Sequence, residues 1–136
     1  MTVLIDTSAW IEYLRKTGSD QDLAVESLGA PTKTFSTCGP VTMELFAGAR
    51  DAGARETIDK LLGWGSDIPC NRKHFDDAAV IYRLCRESGV TVRSMIDCLI
   101  SALALSHDVE LLHHDRDFNA IAGVVPLRIH PESLAD

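Results

Sequence analysis

No apolar run in this 136-residue chain reaches the eighteen or so residues that a membrane-spanning helix requires, because charge breaks every such stretch within about ten positions. A soluble protein is expected. The opening Met1-Thr2-Val3-Leu4-Ile5-Asp6 runs straight into a strand-like segment, without a basic leader region, a long apolar core or a small-residue cleavage site, so no export signal is expected. Cys38, Cys70, Cys85 and Cys98 are widely separated, include no CxxC pair and sit in apolar surroundings, which argues against a disulfide framework. They read as reduced core residues of a cytoplasmic protein. Basic side chains are also scarce. Thirteen Lys and Arg against twenty Asp and Glu give a net charge of −7, which argues against holding nucleic acid chiefly by phosphate neutralisation. A polyanion would have to be gripped locally.

What is present is an alternation of strand and helix signals. Val3-Leu4-Ile5 is a short apolar run ending at Asp6, and Thr7-Ser8 then offers caps for a helix carrying Trp10, Ile11 and Leu14. A helix over Asp22 to Leu28 is followed by Pro31 and a strand over Thr34 to Thr37. Pro40 suits the first turn of the next helix, which carries Glu44. Gly48, Gly53, Gly63 and Gly65 bracket a helix with Ile58, Leu61 and Leu62 on one stripe, and Asp67 to Cys70 is a candidate third strand. From Lys73 to Ser88, Phe75, Ala78, Ala79, Tyr82 and Cys85 recur at helical spacing, with Gly89 as the stop. Ser94 begins a helix with a wide apolar face, which leads to a strand over Glu110 to His113, a helix from Asp115 and a strand near Leu127 to His130. Without repeats or low-complexity tracts, this alternation predicts one α/β domain over residues 1–136. Its centre is a mainly parallel sheet of about four or five strands, with helices on both faces.

Ligands of such sheets collect at the strands' C-terminal ends, where Asp6 and Asp115 fall. Asp97 sits in the first turn of an otherwise apolar helix and Glu44 in the early turns of another, positions that the helix dipole favours for carboxylates. Several unpaired carboxylates converging at one place would repel and take up protons unless a cation lay between them. Hard Mg²⁺, or Mn²⁺, suits oxygen ligands and keeps several waters, one of which is a candidate nucleophile. In-line attack of that water on phosphorus would hydrolyse a phosphodiester with no protein nucleophile.

At these residues the chain resembles the PIN family, specifically the VapC toxins of type II toxin–antitoxin pairs. The likeness covers nearly the whole length. It is carried by Val3-Leu4-Ile5-Asp6-Thr7-Ser8-Ala9-Trp10, by Pro40-Val41-Thr42-Met43-Glu44-Leu45-Phe46-Ala47-Gly48, by Arg93-Ser94-Met95-Ile96-Asp97-Cys98-Leu99-Ile100, and by His113-His114-Asp115-Arg116-Asp117-Phe118. Each motif is weak alone and they are strong jointly. The resemblance implies a Mg²⁺- or Mn²⁺-dependent endoribonuclease, with tRNA a candidate substrate, acting as a homodimer. It also implies inhibition by a VapB-type antitoxin whose C-terminal segment blocks the active site. Asp6, Glu44, Asp97 and Asp115 match the family's acidic positions, with Asp6 and Asp97 ranked first as direct ligands. Asp117 lies in the last motif as well and is assigned an auxiliary role, as is Thr7.

Simpler readings compete at each position. Asp6 and Asp115-Asp117 suit helix caps, Ser94-x-x-Asp97 suits a capping box, and Glu44 suits a solvated helix. Taken together these do not explain why the carboxylates lie beside apolar core segments. His113-His114 invites a zinc site, but adjacent strand residues point to opposite faces and no further Cys/His spacing supports one. Arg72-Lys73, Arg83, Arg86, Arg93 and Arg116 are candidates for gripping RNA phosphate, or else ordinary solvated charges. Trp10, Tyr13 and Leu14 are an apolar strip suited to an antitoxin segment, although Trp10 also suits the core. The rival functions are a catalytically silent interaction module, a receiver-like signalling domain and an aspartate-nucleophile phosphatase. A receiver needs an acidic pair after the first strand where Ile5-Asp6-Thr7 offers one, and the phosphatase's Asp-x-Asp is absent because position 8 is serine. Removing the four carboxylates from the count leaves −7 + 4 = −3, so the proposed site itself accounts for much of the acidic balance.

Overall fold

In the computed structural model, which describes residues 2–29 and 34–136, four short strands form one sheet: β1 (Val3–Ile5), β2 (Phe35–Cys38), β3 (Ser66–Ile68) and β4 (Glu110–Leu112). Their order is β3-β2-β1-β4 and every pairing is parallel. Val3 lies opposite Phe35 on one side and Glu110 on the other, and Ile5 lies opposite Leu112. Parallel neighbours need long crossovers, which helices supply here: α1 (Thr7–Leu14), α2 (Asp20–Leu28), α3 (Gly39–Gly48), α4 (Ala52–Leu62), α5 (Arg72–Glu87), α6 (Met95–Ser106) and α7 (Arg116–Ala122). Val3, Leu4 and Ile5 are all buried although successive side chains point to opposite faces, so both faces of the central strand are covered. The helix expected from Asp22 begins two residues earlier, where Ser19 caps it by accepting from the Asp22 amide. The break expected at Pro31 lies outside the described residues.

The core is assembled from the strands together with residues of all seven helices, among them Val25 of α2, Val41 of α3 and Ile58 of α4. Trp10 is 2% exposed and packs edge-on against Phe35, with ring centroids 5.4 Å apart. It is therefore a core residue and drops out of the apolar strip expected on the first helix, while Leu14 stays 37% exposed. The third strand, expected over Asp67 to Cys70, begins one residue earlier and ends two residues earlier, at Ser66–Ile68. The strand expected near Leu127 to His130 is reduced to a single parallel bridge between Leu111 and Ile129. Pro126 and Pro131 flank that bridge, and neither has an N–H to extend a ladder.

On α5 the buried stripe is His74, Ala78, Ile81 and Cys85, whereas Phe75, expected inside, is 56% exposed. Two stripes one residue apart fit the same helical period, and polar pairing decides between them. His74 Nδ1 accepts from the Asn71 amide, closing a capping box at the start of α5. Its Nε2 lies 2.9 Å from Ser106 Oγ on α6. A histidine with both ring nitrogens satisfied can be buried at little cost. Gly89, with φ of +76°, provides the left-handed stop after α5. All four cysteines are free thiols.

Candidate active site

The chain leaves β1 through β2 to β3 on one side and returns to β4 on the other, so the direction of winding reverses between β1 and β4. That gap at the strands' C-terminal ends is where α/β sheets place ligands. Asp6 follows β1 directly, and its amide donates to the Leu112 carbonyl at 2.9 Å, tying the ends of the two strands together. Asp115 follows β4, and Asp97 and Glu44 approach from α6 and α3.

Each carboxylate is held by local structure. Asp6 caps α1, its Oδ2 accepting from the Ser8 amide at 2.9 Å and from the Ser8 hydroxyl at 2.5 Å. The same hydroxyl accepts from the His114 amide at 2.9 Å, so Ser8 joins the first strand's loop to the fourth's. Asp115 caps α7 by accepting from the Asp117 amide at 3.0 Å. Thr7 Oγ1 donates to Glu44 Oε1 at 2.7 Å. Capping is thus a real part of what Asp6 and Asp115 do, but the capping box suggested by Ser94-x-x-Asp97 is absent, since the Ser94 side chain makes no cap bond. Asp97 is 8% exposed and has no capping role to account for it.

Asp97, Asp115 and Asp117 each offer a carboxylate oxygen within 4.8 Å of the others. The electrostatics match that crowding. Burial, then the charges of Asp6, Asp115, Asp117 and Glu44, push the Asp97 carboxyl up from 3.8 to about 8. Burial pushes Asp6 up to about 6 against the opposing pull of its bonds to Ser8, with Glu44 adding to the rise. Carboxyls that resist ionising together, with oxygens this close, have the donor chemistry of a hard divalent cation site. Asp6 and Glu44 lie outside the 4.8 Å group and face it electrostatically. Asp117, expected to be auxiliary, lies within it beside Asp115.

Among the basic candidates, only Arg93 of the described residues comes within ion-pair distance of these carboxylates. Its Nε is 3.2 Å from Asp117 Oδ2 and its Nη2 3.6 Å from Asp115 Oδ1. Arg116, the first residue of α7, is exposed beside Asp115 in sequence. Arg72 and Lys73 open α5, where Arg72 pairs with Asp76; Arg83 is exposed, and Arg86 lies over the Tyr82 ring.

Sequence reasoning missed the supports behind the acidic residues. His113 is fully buried. Its Nδ1 accepts from the Asp115 amide at 3.0 Å and its Nε2 faces Asn119 Oδ1 at 3.0 Å. Burial lowers its pKa, which favours the neutral ring this pairing requires. His114 Nδ1 meets Gln21 Oε1 at 2.7 Å. The adjacent histidines were the only signal, and a Gln 93 positions away could not be matched to them by spacing.

A PIN-domain family model matches residues 3–124. The chain belongs to the PIN-domain family. As a PIN domain it is 41% identical over 128 residues to ribonuclease VapC11 of Mycobacterium tuberculosis, an alignment that spans 93% of this chain and 96% of that relative. A VapC ribonuclease of Mycobacterium bovis matches equally well, with the same coverage of both chains. Among solved structures, this PIN domain resembles VapBC-1 of nontypeable Haemophilus influenzae, with a TM-score of 0.73, 19% identity and 96% and 97% of the two chains covered. It also resembles VapC20 of M. tuberculosis, described as a sarcin-ricin loop cleaving toxin, with a TM-score of 0.65, 21% identity and 93% and 99% covered. At these identities the structural likeness shows the PIN fold, an α/β domain around a parallel sheet.

Proposed function

We propose that this PIN-domain protein is a divalent-metal-dependent endoribonuclease, the toxin of a VapBC-type pair, which hydrolyses phosphodiester bonds of a structured RNA such as tRNA. The observation that carries the reading is the Asp97, Asp115 and Asp117 oxygens lying within 4.8 Å of one another, with the Asp97 carboxyl pushed up to about 8 by burial and by its acidic neighbours. The relatives named as ribonucleases support the same reaction class. Family membership disfavours a receiver or an aspartate-nucleophile phosphatase.

Asp97, Asp115 and Asp117 would hold Mg²⁺ or Mn²⁺, with Asp6 and Glu44 completing the acidic pocket. A divalent ion bound there supplies Lewis-acid charge beside the scissile phosphate. Asp6, with a pKa of about 6, is suited to take up a proton near neutral pH. Arg93, whose side chain is 75% exposed, can exchange its contact with Asp117 for a bidentate contact to RNA phosphate. Arg83, Arg86 and Arg116 would extend that contact along the substrate.

The antitoxin's place in this reading is a groove of about 530 Å³ between α1, α3 and α4, with an apolar floor that includes Ile11, Leu14, Leu45 and Ile58. Thr7 and Glu44 also line it, so a peptide seated there abuts the acidic pocket. A homodimer belongs to the same proposal, and α5 exposes Val80 and Leu84, one turn apart on the same face, as an apolar surface for it. No helix among the described residues is long and apolar enough to cross a membrane. The test is cleavage of total RNA by the purified protein with Mg²⁺, Mn²⁺ or chelator. Metal-dependent cleavage that Asp97→Asn abolishes supports the proposal. A folded protein that binds a VapB-type partner but cuts nothing with either metal would make it a silent interaction module instead.

A further inference from the structure

Two chains of hydrogen bonds lead away from the acidic pocket, one from each of the strand-end loops that carry it, and both end on the same short segment near the C-terminus. The first begins at Asp115. Its amide donates to His113 Nδ1, so the proton of the neutral ring sits on Nε2 and is donated to Asn119 Oδ1 at 3.0 Å. Asn119 Nδ2 then donates to the Leu134 carbonyl at 2.8 Å. The segment also bonds the backbone of His113 directly, since the Leu134 amide donates to the His113 carbonyl at 2.9 Å and the His113 amide donates to Ser133 Oγ at 3.1 Å.

The second chain begins at Asp6. Ser8 donates to Asp6 and accepts from the His114 amide. The His114 side chain donates through Nδ1 to Gln21 Oε1 at 2.7 Å, and Gln21 Nε2 donates to the Glu132 carbonyl at 2.7 Å. Donor and acceptor roles agree along both chains, and no ring nitrogen or amide group has to be used twice. Gln21 is 4% exposed and His113 fully buried. Breaking either chain therefore leaves a buried polar group without a partner, which costs more than the bond itself was worth.

We infer that residues 132–134 form a strap that holds the loops bearing Asp6 and Asp115 in register, with His113 and Gln21 the positioning residues through which it acts. This rests on the metal-dependent reading given above, because the geometry being positioned is that of the carboxylates. Groups behind a metal's own ligands fix the direction of those ligands, and losing one typically weakens metal binding by about ten- to a hundredfold.

The test compares the wild-type chain with Asn119→Asp, which sets a carboxylate oxygen against the Leu134 carbonyl, and with a chain shortened to end at Pro131. Ile81→Val in α5 serves as a control for mild destabilisation. Mn²⁺ affinity is read by electron paramagnetic resonance of the free ion, alongside melting temperature and kcat and KM for RNA cleavage. The expected result is a roughly tenfold or greater loss of Mn²⁺ affinity in both strap variants. Their kcat should fall while KM for RNA is unchanged, and Ile81→Val should bind Mn²⁺ like the wild type. If the strap variants melt earlier yet bind Mn²⁺ as the wild type does, the segment is only structural and the inference fails. Should the shortened chain not fold, Asn119→Asp decides by the same criterion. A wild-type chain that binds no Mn²⁺ overturns the metal reading itself, and this inference with it.

Discussion

Thr7 Oγ1 donates to Glu44 Oε1 at 2.7 Å across 37 residues of sequence, pinning the start of α1 to the second turn of α3. Glu44's charge raises the pKa of both Asp6 and Asp97, so the direction in which Thr7 holds it bears on the whole pocket. Thr7→Val keeps the side chain's shape and removes only the donor. Expected outcomes are a stability loss of about 1 kcal/mol in chemical unfolding and a fall of about tenfold in kcat/KM for RNA, the lower end of the usual effect of a supporting hydrogen bond. Unchanged kcat/KM would show that Glu44 does not depend on the Thr7 hydroxyl for any part it plays in the reaction.

Arg93 is the one described cation paired with Asp115 and Asp117, and its side chain is 75% exposed. Solvent screening makes such a pair worth little to the fold, so Arg93→Gln should leave the melting temperature essentially unchanged. Its consequences fall on ligands. Two carboxylates freed of a positive neighbour attract a cation more strongly, so Mn²⁺ affinity should rise by about threefold. KM for RNA should rise by about fivefold as a phosphate contact is lost. Calorimetric titration of Mn²⁺ and steady-state cleavage check the two halves independently, and a fall in both affinities would mean that Arg93 acts by ordering the loop instead.

Much of this was legible in the sequence because local signals and tertiary placement agree. The run Val3-Leu4-Ile5 ending at Asp6, and Gly89 after α5, mark elements whose ends are fixed by short-range chemistry. The acidic motifs were readable because strand ends converge in any parallel sheet. Three features were not readable, each because a distant partner decides it. His74 displaces Phe75 from the buried face of α5 through Ser106, 32 residues away. The last strand shrinks to one bridge between two prolines. Asp117 joins Asp97 and Asp115 because of how α7 docks, which sequence spacing does not encode.

Gly65 offers a test of the fold apart from the site. A Cβ at this position would stand 2.3 Å from Phe35 Cε2. Phe35 is 1% exposed and wedged against Trp10, so its ring has nowhere to go. Gly65→Ala should destabilise by roughly 1–3 kcal/mol, the usual range for overpacking. The loss should appear as a lower midpoint at unchanged slope in urea unfolding. Wild-type stability would show that the turn before β3 can shift freely.

Asp97 supplies the sharpest dependence on pH. Its folded pKa of about 8 stands above the ordinary 3.8 because of burial first and acidic neighbours second, so the folded state binds its proton more tightly than the unfolded chain does. The stability this contributes is fully present below about pH 4 and is lost as pH rises through about 8. Asp6, raised to about 6, adds a loss in the same direction over a lower range. The metal-free protein should therefore melt progressively earlier between pH 5 and pH 8.5. Asp97→Asn removes the larger part of that slope and should make the metal-free protein more stable at about pH 8.5, by on the order of 2 kcal/mol. A divalent cation competes with those same protons, so the stabilisation by saturating Mn²⁺ should grow as pH rises from about 6 to about 8 in the wild type. It should be largely absent in Asp97→Asn. Differential scanning calorimetry of both proteins, with Mn²⁺ and with chelator, separates the effects. A metal-free wild type whose stability is flat across that range would show that Asp97 ionises freely, and the pH dependence of Mn²⁺ stabilisation expected from proton competition would then be absent as well.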